Sequence, residues 1–168
     1  DTAPTEIYTT GHPLALHDAL PIYAGGVAGG TITGIGSATI TGPATTTGVD
    51  GTSANVSGNF TDVTSLTSSS GTGTLTGSNN ASAWALSGTG GTYTDGAGVA
   101  SFSGFANLTG GSAIDTFTLG AASTANIAGG GSLDVLALAG FTLTGSYAGG
   151  VAGGTITGIG SGPISGPP

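Results

Sequence analysis

The chain contains no lysine, no arginine, no cysteine and no methionine. With a net charge of −8 and no cation to set against phosphate, nucleic-acid binding by charge is excluded. The same lack leaves nothing to draw the chain to anionic lipid. Without cysteine there is no disulfide and no thiolate metal site, and any redox compartment is allowed. No apolar run approaches the roughly 18 residues of a membrane helix. Charged residues make up only 5%, whereas disordered chains are usually charge-rich and poor in β-branched residues. What is present is glycine, 36 residues without a G-X-Y period, which excludes collagen. Val, Ile, Thr and Phe recur at short intervals among the glycines and predict strands joined by tight turns.

The first 22 residues differ in kind from the rest. "EIYTTGHPLALHDALPIY" (6–23) holds both histidines, His12 and His17, and the only glutamate, Glu6. It has neither the basic start nor the apolar core of a secretory signal. His12, His17 and Asp18 together have the donors to touch one ion, but Pro13 and Pro21 break any helix that would align them. "DTAPTEIYT" and "LALHDALPI" resemble the conceptual translation of a short-read sequencing adapter. Pro4 and Ala15 depart from that text, and Thr10, Gly11, His12 and Pro13 stand where a variable barcode falls. The resemblance implies that residues 1–22 are an artefact, disordered, and outside the chemistry of the protein.

A repeat begins where that text stops. "YAGGVAGGTITGIGSATITGP" (23–43) returns as "YAGGVAGGTITGIGSGPISGP" (147–167), with the first 15 residues identical and 18 of 21 in common. The organisation expected from this is one complete 124-residue unit, 23–146, and the truncated start of a second, 147–168, within a much longer chain. A shorter period lies inside the unit. "ANLTGGSAIDTFTLGA" (106–121) aligns with "ANIAGGGSLDVLALAG" (125–140) at an offset of 19. Such a period, with Gly-Gly turns and alternating strands, predicts an all-β fold: a parallel β-solenoid with coils of 19–20 residues. "TITGI", "ATITG", "VTSL", "AWALS", "DTFTL", "DVLAL" and "FTLTG" read as strands with alternate residues turned inward. Stacked coils would place Leu136 near Phe117 and Leu138 near Leu119, about 4.8 Å apart. Residues 23–168 would give about seven coils, roughly 35 Å of solenoid. Trp84 and the phenylalanines at 60, 102, 105, 117 and 141 are expected in the core, with sugar stacking on an exposed Trp84 as the alternative.

Catalytic chemistry finds little to use. After residue 22 the ionisable side chains besides tyrosine are Asp50, Asp62, Asp95, Asp115 and Asp134. A Ser or Thr nucleophile needs a base beside it, and only aspartate is available. "GGVAGGT" lacks the lysine of a phosphate loop. The fragment reads as no enzyme, with no catalytic and no cofactor-binding residues. One pattern carries ion chemistry. "GGSAID" (110–115) and "GGGSLD" (129–134) resemble the calcium-binding nonapeptide of RTX β-rolls, which implies Ca²⁺ ligation by Asp115 and Asp134. The third glycine of that pattern is Ala113 in one copy and Ser132 in the other, and both aspartates could instead cap turns. Sequons at Asn55, Asn59, Asn80 and Asn107 are what a Thr/Ser-rich chain gives by chance. T-x-T pairs such as Thr31/Thr33 and Thr116/Thr118 would suit ice only as a regular flat array, and their spacing is irregular.

The stretch 102–140 resembles the Gly/Thr-rich repeats of large bacterial surface proteins, the filamentous-haemagglutinin-like and RTX-like adhesins. That resemblance implies a secreted or cell-surface location and a structural stalk or passenger repeat. It also implies partners on host or neighbouring cells, in glycan or in matrix, reached through other parts of the protein, with no nucleic acid and no membrane insertion. The alternatives are a calcium-binding β-roll that folds on secretion and an ice-binding solenoid. Open solenoid ends without lysine guards predict self-association.

Overall fold

The structure, a computed structural model, describes residues 23–44 and 47–160. The adapter-like residues, with His12, His17 and Asp18, lie outside the described residues. In chain order the strands are β1 (Tyr23–Ala24), β2 (Gly30–Ile35), β3 (Ala38–Pro43), β4 (Val49–Ser53) and β5 (Val56–Ser68). Next come β6 (Thr74–Thr76), β7 (Ser82–Gly88), β8 (Gly90–Asp95), β9 (Gly98–Ser103) and β10 (Asn107–Thr109). The last are β11 (Asp115–Ser123), β12 (Asn126–Ala128), β13 (Asp134–Ala137), β14 (Tyr147–Ala148) and β15 (Gly154–Thr157).

Alternation decides which face each strand buries. In β7 Ser82, Trp84 and Leu86 point inward while Ala83 and Ala85 are exposed, and β9 alternates in the same way. Two parallel ladders form from such strands. One runs β3–β6–β10–β12–β14 and the other β7–β11–β13–β15. Leu108 pairs with Ile127 and Phe117 with Leu136, so the 19-residue period does set the register of these two strand pairs. The β11–β13 register runs from Thr116 to Thr118 and stops short of the expected Leu119–Leu138 pair, while on its other edge β11 sets Leu119 opposite Leu86.

Between the ladders the chain doubles back. β3, β4 and β5 form an antiparallel meander, and so do β7, β8 and β9. β5 then joins β9 in parallel, Leu66 opposite Phe102. The expected open parallel β-solenoid is therefore corrected. All fifteen strands belong to one sheet, which turns through 325° about its axis as a nearly closed 13-strand barrel with one unsealed seam. The physical reason is the pair of meanders. They return the chain antiparallel where a solenoid would advance to a new coil, so partners such as Ser82 and Asp115 are 33 residues apart and not 19. The uniform tandem array of coils falls with it. So does self-association through open solenoid ends, because both ends of the sheet, β14 and β15, border the single seam.

The meanders turn on short loops. Ser87 pairs with Gly90, and Asp95 with Gly98, leaving two-residue loops led by Gly88 (φ 62°) and Gly96 (φ 56°). A left-handed first position is what such hairpins need. "FTLTG" (141–145), expected as a strand, makes only the bridge from Leu143 to Ser123.

Most of the large buried side chains are apolar. Trp84 is their centre, edge-on to Tyr93 at 4.7 Å and to Phe102 at 5.6 Å, and stacked on Phe117 at 5.3 Å and 21°. Phe60, Phe102, Phe105 and Phe117 are buried as expected, while Phe141 is 43% exposed.

Candidate functional site

The polar groups inside the barrel form two connected sets. In the first, three strands begin side by side with Ser82, Asp115 and Asp134, all buried. Asp134 Oδ1 accepts the Asp115 backbone N–H at 2.8 Å. Asp115 Oδ1 accepts from Ser82 N at 3.0 Å and Ser82 Oγ at 2.5 Å, while Oδ2 accepts from Gly111 N at 2.7 Å. Ser82 Oγ accepts in turn from the Trp84 indole at 2.9 Å. Each carboxylate thus satisfies the opening N–H of the neighbouring strand, a group that would otherwise be buried without a partner.

The second set joins β8 to the loop before β7. Asp95 Oδ2 accepts from Ser78 Oγ at 2.5 Å, and the Asn80 amide donates to both oxygens of the same carboxylate. The Tyr93 hydroxyl accepts from Ser78 N at 3.0 Å and donates to Ser78 Oγ at 3.2 Å. Farther off, Asp50 Oδ1 accepts from Asp62 N, and Asp62 Oδ1 from Thr47 N.

Burial sets the protonation of these groups. Loss of water is the largest effect on Asp115 and raises its pKa. The bonds from Ser82 and Gly111 pull it back, and the Asp134 charge adds a further upward push. Burial likewise raises Tyr93, with the Asp95 charge acting in the same direction against the bonds to Ser78. Tyr147 is raised by burial and by the Asp134 charge.

Asp134 Oδ2 is buried and has no hydrogen-bond partner. Two glycines make room for it. A Cβ on Gly129 would lie 2.2 Å from this oxygen, and a Cβ on Gly150 would lie 2.7 Å from it. The same point off Gly150 is 2.6 Å from the Gly130 carbonyl oxygen and 2.8 Å from that of Ser132.

The two residues expected to ligate calcium are thus brought together as strand-start neighbours. Asp115 already accepts three bonds, leaving Asp134 Oδ2 as the one carboxylate oxygen of the pair without a donor. Calcium takes about six to eight oxygens, and among the described residues no group of three or more His, Cys, Asp or Glu could hold a metal ion. Sequence reasoning did not single out Ser78, Ser82 or Tyr93, and it met Asn80 only as a chance sequon. The available signal was the Asp95-Gly96 pair, a hairpin dipeptide that puts Asp95 opposite the start of β7.

A groove of 460 Å³ runs past Thr39, Thr76, Ser78, Asn79, Gly111 and Gly131, and no charged side chain lines it. No family model matches the chain, and neither a curated protein nor a solved structure matches it. The adhesin resemblance is accordingly corrected, on the nearly closed barrel that the chain forms. With it go the stalk or passenger role, the calcium-dependent β-roll and the ice-binding solenoid, all of which require stacked, open, repeating coils.

Proposed function

We propose that this chain is a non-catalytic barrel module, a rigid scaffold that works as a secreted or cell-surface protein. One observation carries the first half. Each of the five described carboxylates accepts a hydrogen bond from a backbone amide, a hydroxyl or a side-chain amide of the barrel itself. The described residues include no His, Lys, Arg, Cys or Glu. A hydroxyl nucleophile such as buried Ser78 or Ser82 therefore has only a structural aspartate beside it.

Composition supports the location. A chain without Lys or Arg offers no cleavage site to trypsin-like proteases, and one without Cys or Met has none of the readily oxidised sulfur side chains. Both properties suit exposure to proteases and oxidants. Two experiments test the reading. The chain is expected to turn over nothing in a panel of chromogenic esters, glycosides and phosphate esters. Turnover that Asp95→Asn or Asp115→Asn abolishes would overturn the non-catalytic half. Treating intact source cells with a subtilisin-type protease should remove the protein. Full retention until the cells are lysed would overturn the location.

A further inference from the structure

The same fifteen residues occur twice, and the barrel treats the two copies differently. In the first copy Ile32 is 9% exposed and Ile35 1%. Their counterparts Ile156 and Ile159 are 44% and 45% exposed. Identical sequence cannot explain the contrast, so the covering must. In the first copy it is β5, paired in parallel with both β1 and β2: Tyr23 lies opposite Phe60, Gly30 opposite Val63 and Ile32 opposite Leu66.

The second copy offers the same edge. Gly25 N donates to Thr61 O of β5. In the second copy the Ala148 carbonyl accepts from Gly129 N of the preceding strand. The C=O and the following N–H of a trans peptide point to opposite sides. The Gly149 N–H, counterpart of Gly25, therefore faces away from β12, across the seam. Thr157 O likewise accepts from Leu138 N, which turns the Gly158 N–H to the same open side. Beside this edge lies a cleft of 430 Å³ lined by Leu138, Phe141, Leu143, Tyr147, Ile156 and Ile159.

We propose that the seam formed by β14 and β15 is a docking site for one parallel β-strand with the chemistry of Val56–Ser68: uncharged over most of its length, with Phe, Val and Leu at successive third positions. Strand addition supplies backbone bonds, and the cleft takes the guest's apolar side chains. The guest's phenylalanine would lie opposite Tyr147, its valine opposite Gly154 and its leucine opposite Ile156, as in the first copy. The occupant is a separate strand and not a second folded copy. In the folded chain β5 is engaged by β4 and β1 around Phe60 and by β2 and β9 around Ser65.

The test adds a fluorescein-labelled peptide of sequence Val56–Ser68 to the full chain and follows anisotropy. Saturable binding is expected, at least tenfold tighter than that of a scrambled peptide. Ile156→Asp, at an exposed position whose change should leave the melting temperature unaltered, is expected to weaken binding at least tenfold. Exchange of the Gly149 and Gly158 amides should slow in the complex. Absent binding, equal binding of the scrambled peptide, or indifference to Ile156→Asp would overturn the proposal. So would a sedimenting dimer of the chain alone that Ile156→Asp dissolves, since a second copy would then be the occupant.

Discussion

Asp134 shows what a single atom costs inside the barrel. Its Oδ1 completes the β11–β13 ladder, but its Oδ2 has no donor and shares its surroundings with the Gly130 and Ser132 carbonyl oxygens. A buried acceptor left unpaired is unfavourable by about 1–3 kcal/mol. Asp134→Asn keeps the acceptor for Asp115 N and places an N–H donor among those carbonyls. It is expected to stabilise the fold by about 1 kcal/mol, read as a higher denaturant midpoint. A lower midpoint would mean that the charge itself is required there. Asp115 titrates against the same background. Its raised pKa means that the folded state holds the proton more tightly than the unfolded chain. The associated stability is fully present below the ordinary aspartate value of about 3.9 and is lost as pH rises through the raised value. The melting temperature should therefore fall as pH rises above about 4, and more steeply in the wild type than in Asp115→Asn. Parallel pH profiles for the two proteins would show that Asp115 is not the group responsible.

At the scale of elements, Trp84 is the joint. It sits on β7 and touches Tyr93 of β8, Phe102 of β9 and Phe117 of β11, so one side chain ties the antiparallel meander to the parallel ladder. Trp84→Ala is expected to destabilise by about 3–5 kcal/mol, with loss of near-ultraviolet dichroism as the direct readout. A loss under about 1 kcal/mol would mean that the aromatic cluster is not the core it is taken to be.

This is also where reading the sequence succeeded and stopped. The offset of 19 placed Phe117 against Leu136 and Leu108 against Ile127, because parallel strands repeat the same inward pattern. It did not give β8, whose "GGTYTD" alternates only weakly and whose partners lie on both sides in antiparallel order. The Asp95-Gly96 dipeptide was a turn signal left unread, and its consequence, a chain that doubles back, depends on partners that no sequence period connects. The aspartates of "GGSAID" and "GGGSLD" were legible as special. Their use as acceptors for the opening amides of adjacent strands was not, because the donors sit up to 33 residues away.

For the molecule as a whole, closure replaces length. A chain whose two ladders are joined by meanders, and whose sheet ends meet at one seam, is expected to behave as a compact particle. Sedimentation should give a monomer, and scattering a radius of gyration that does not grow with concentration. Steady growth with concentration would restore the self-association now set aside. The most direct test of the barrel is a nuclear Overhauser spectrum of the full chain. The barrel predicts antiparallel contacts from Tyr93 to both Trp84 and Ala100, and from Gly51 to both Ile40 and Phe60, beside the parallel contact of Phe117 with Leu136. A spectrum in which the Phe117–Leu136 type of contact appears at every 19-residue step and the antiparallel set is missing would contradict it.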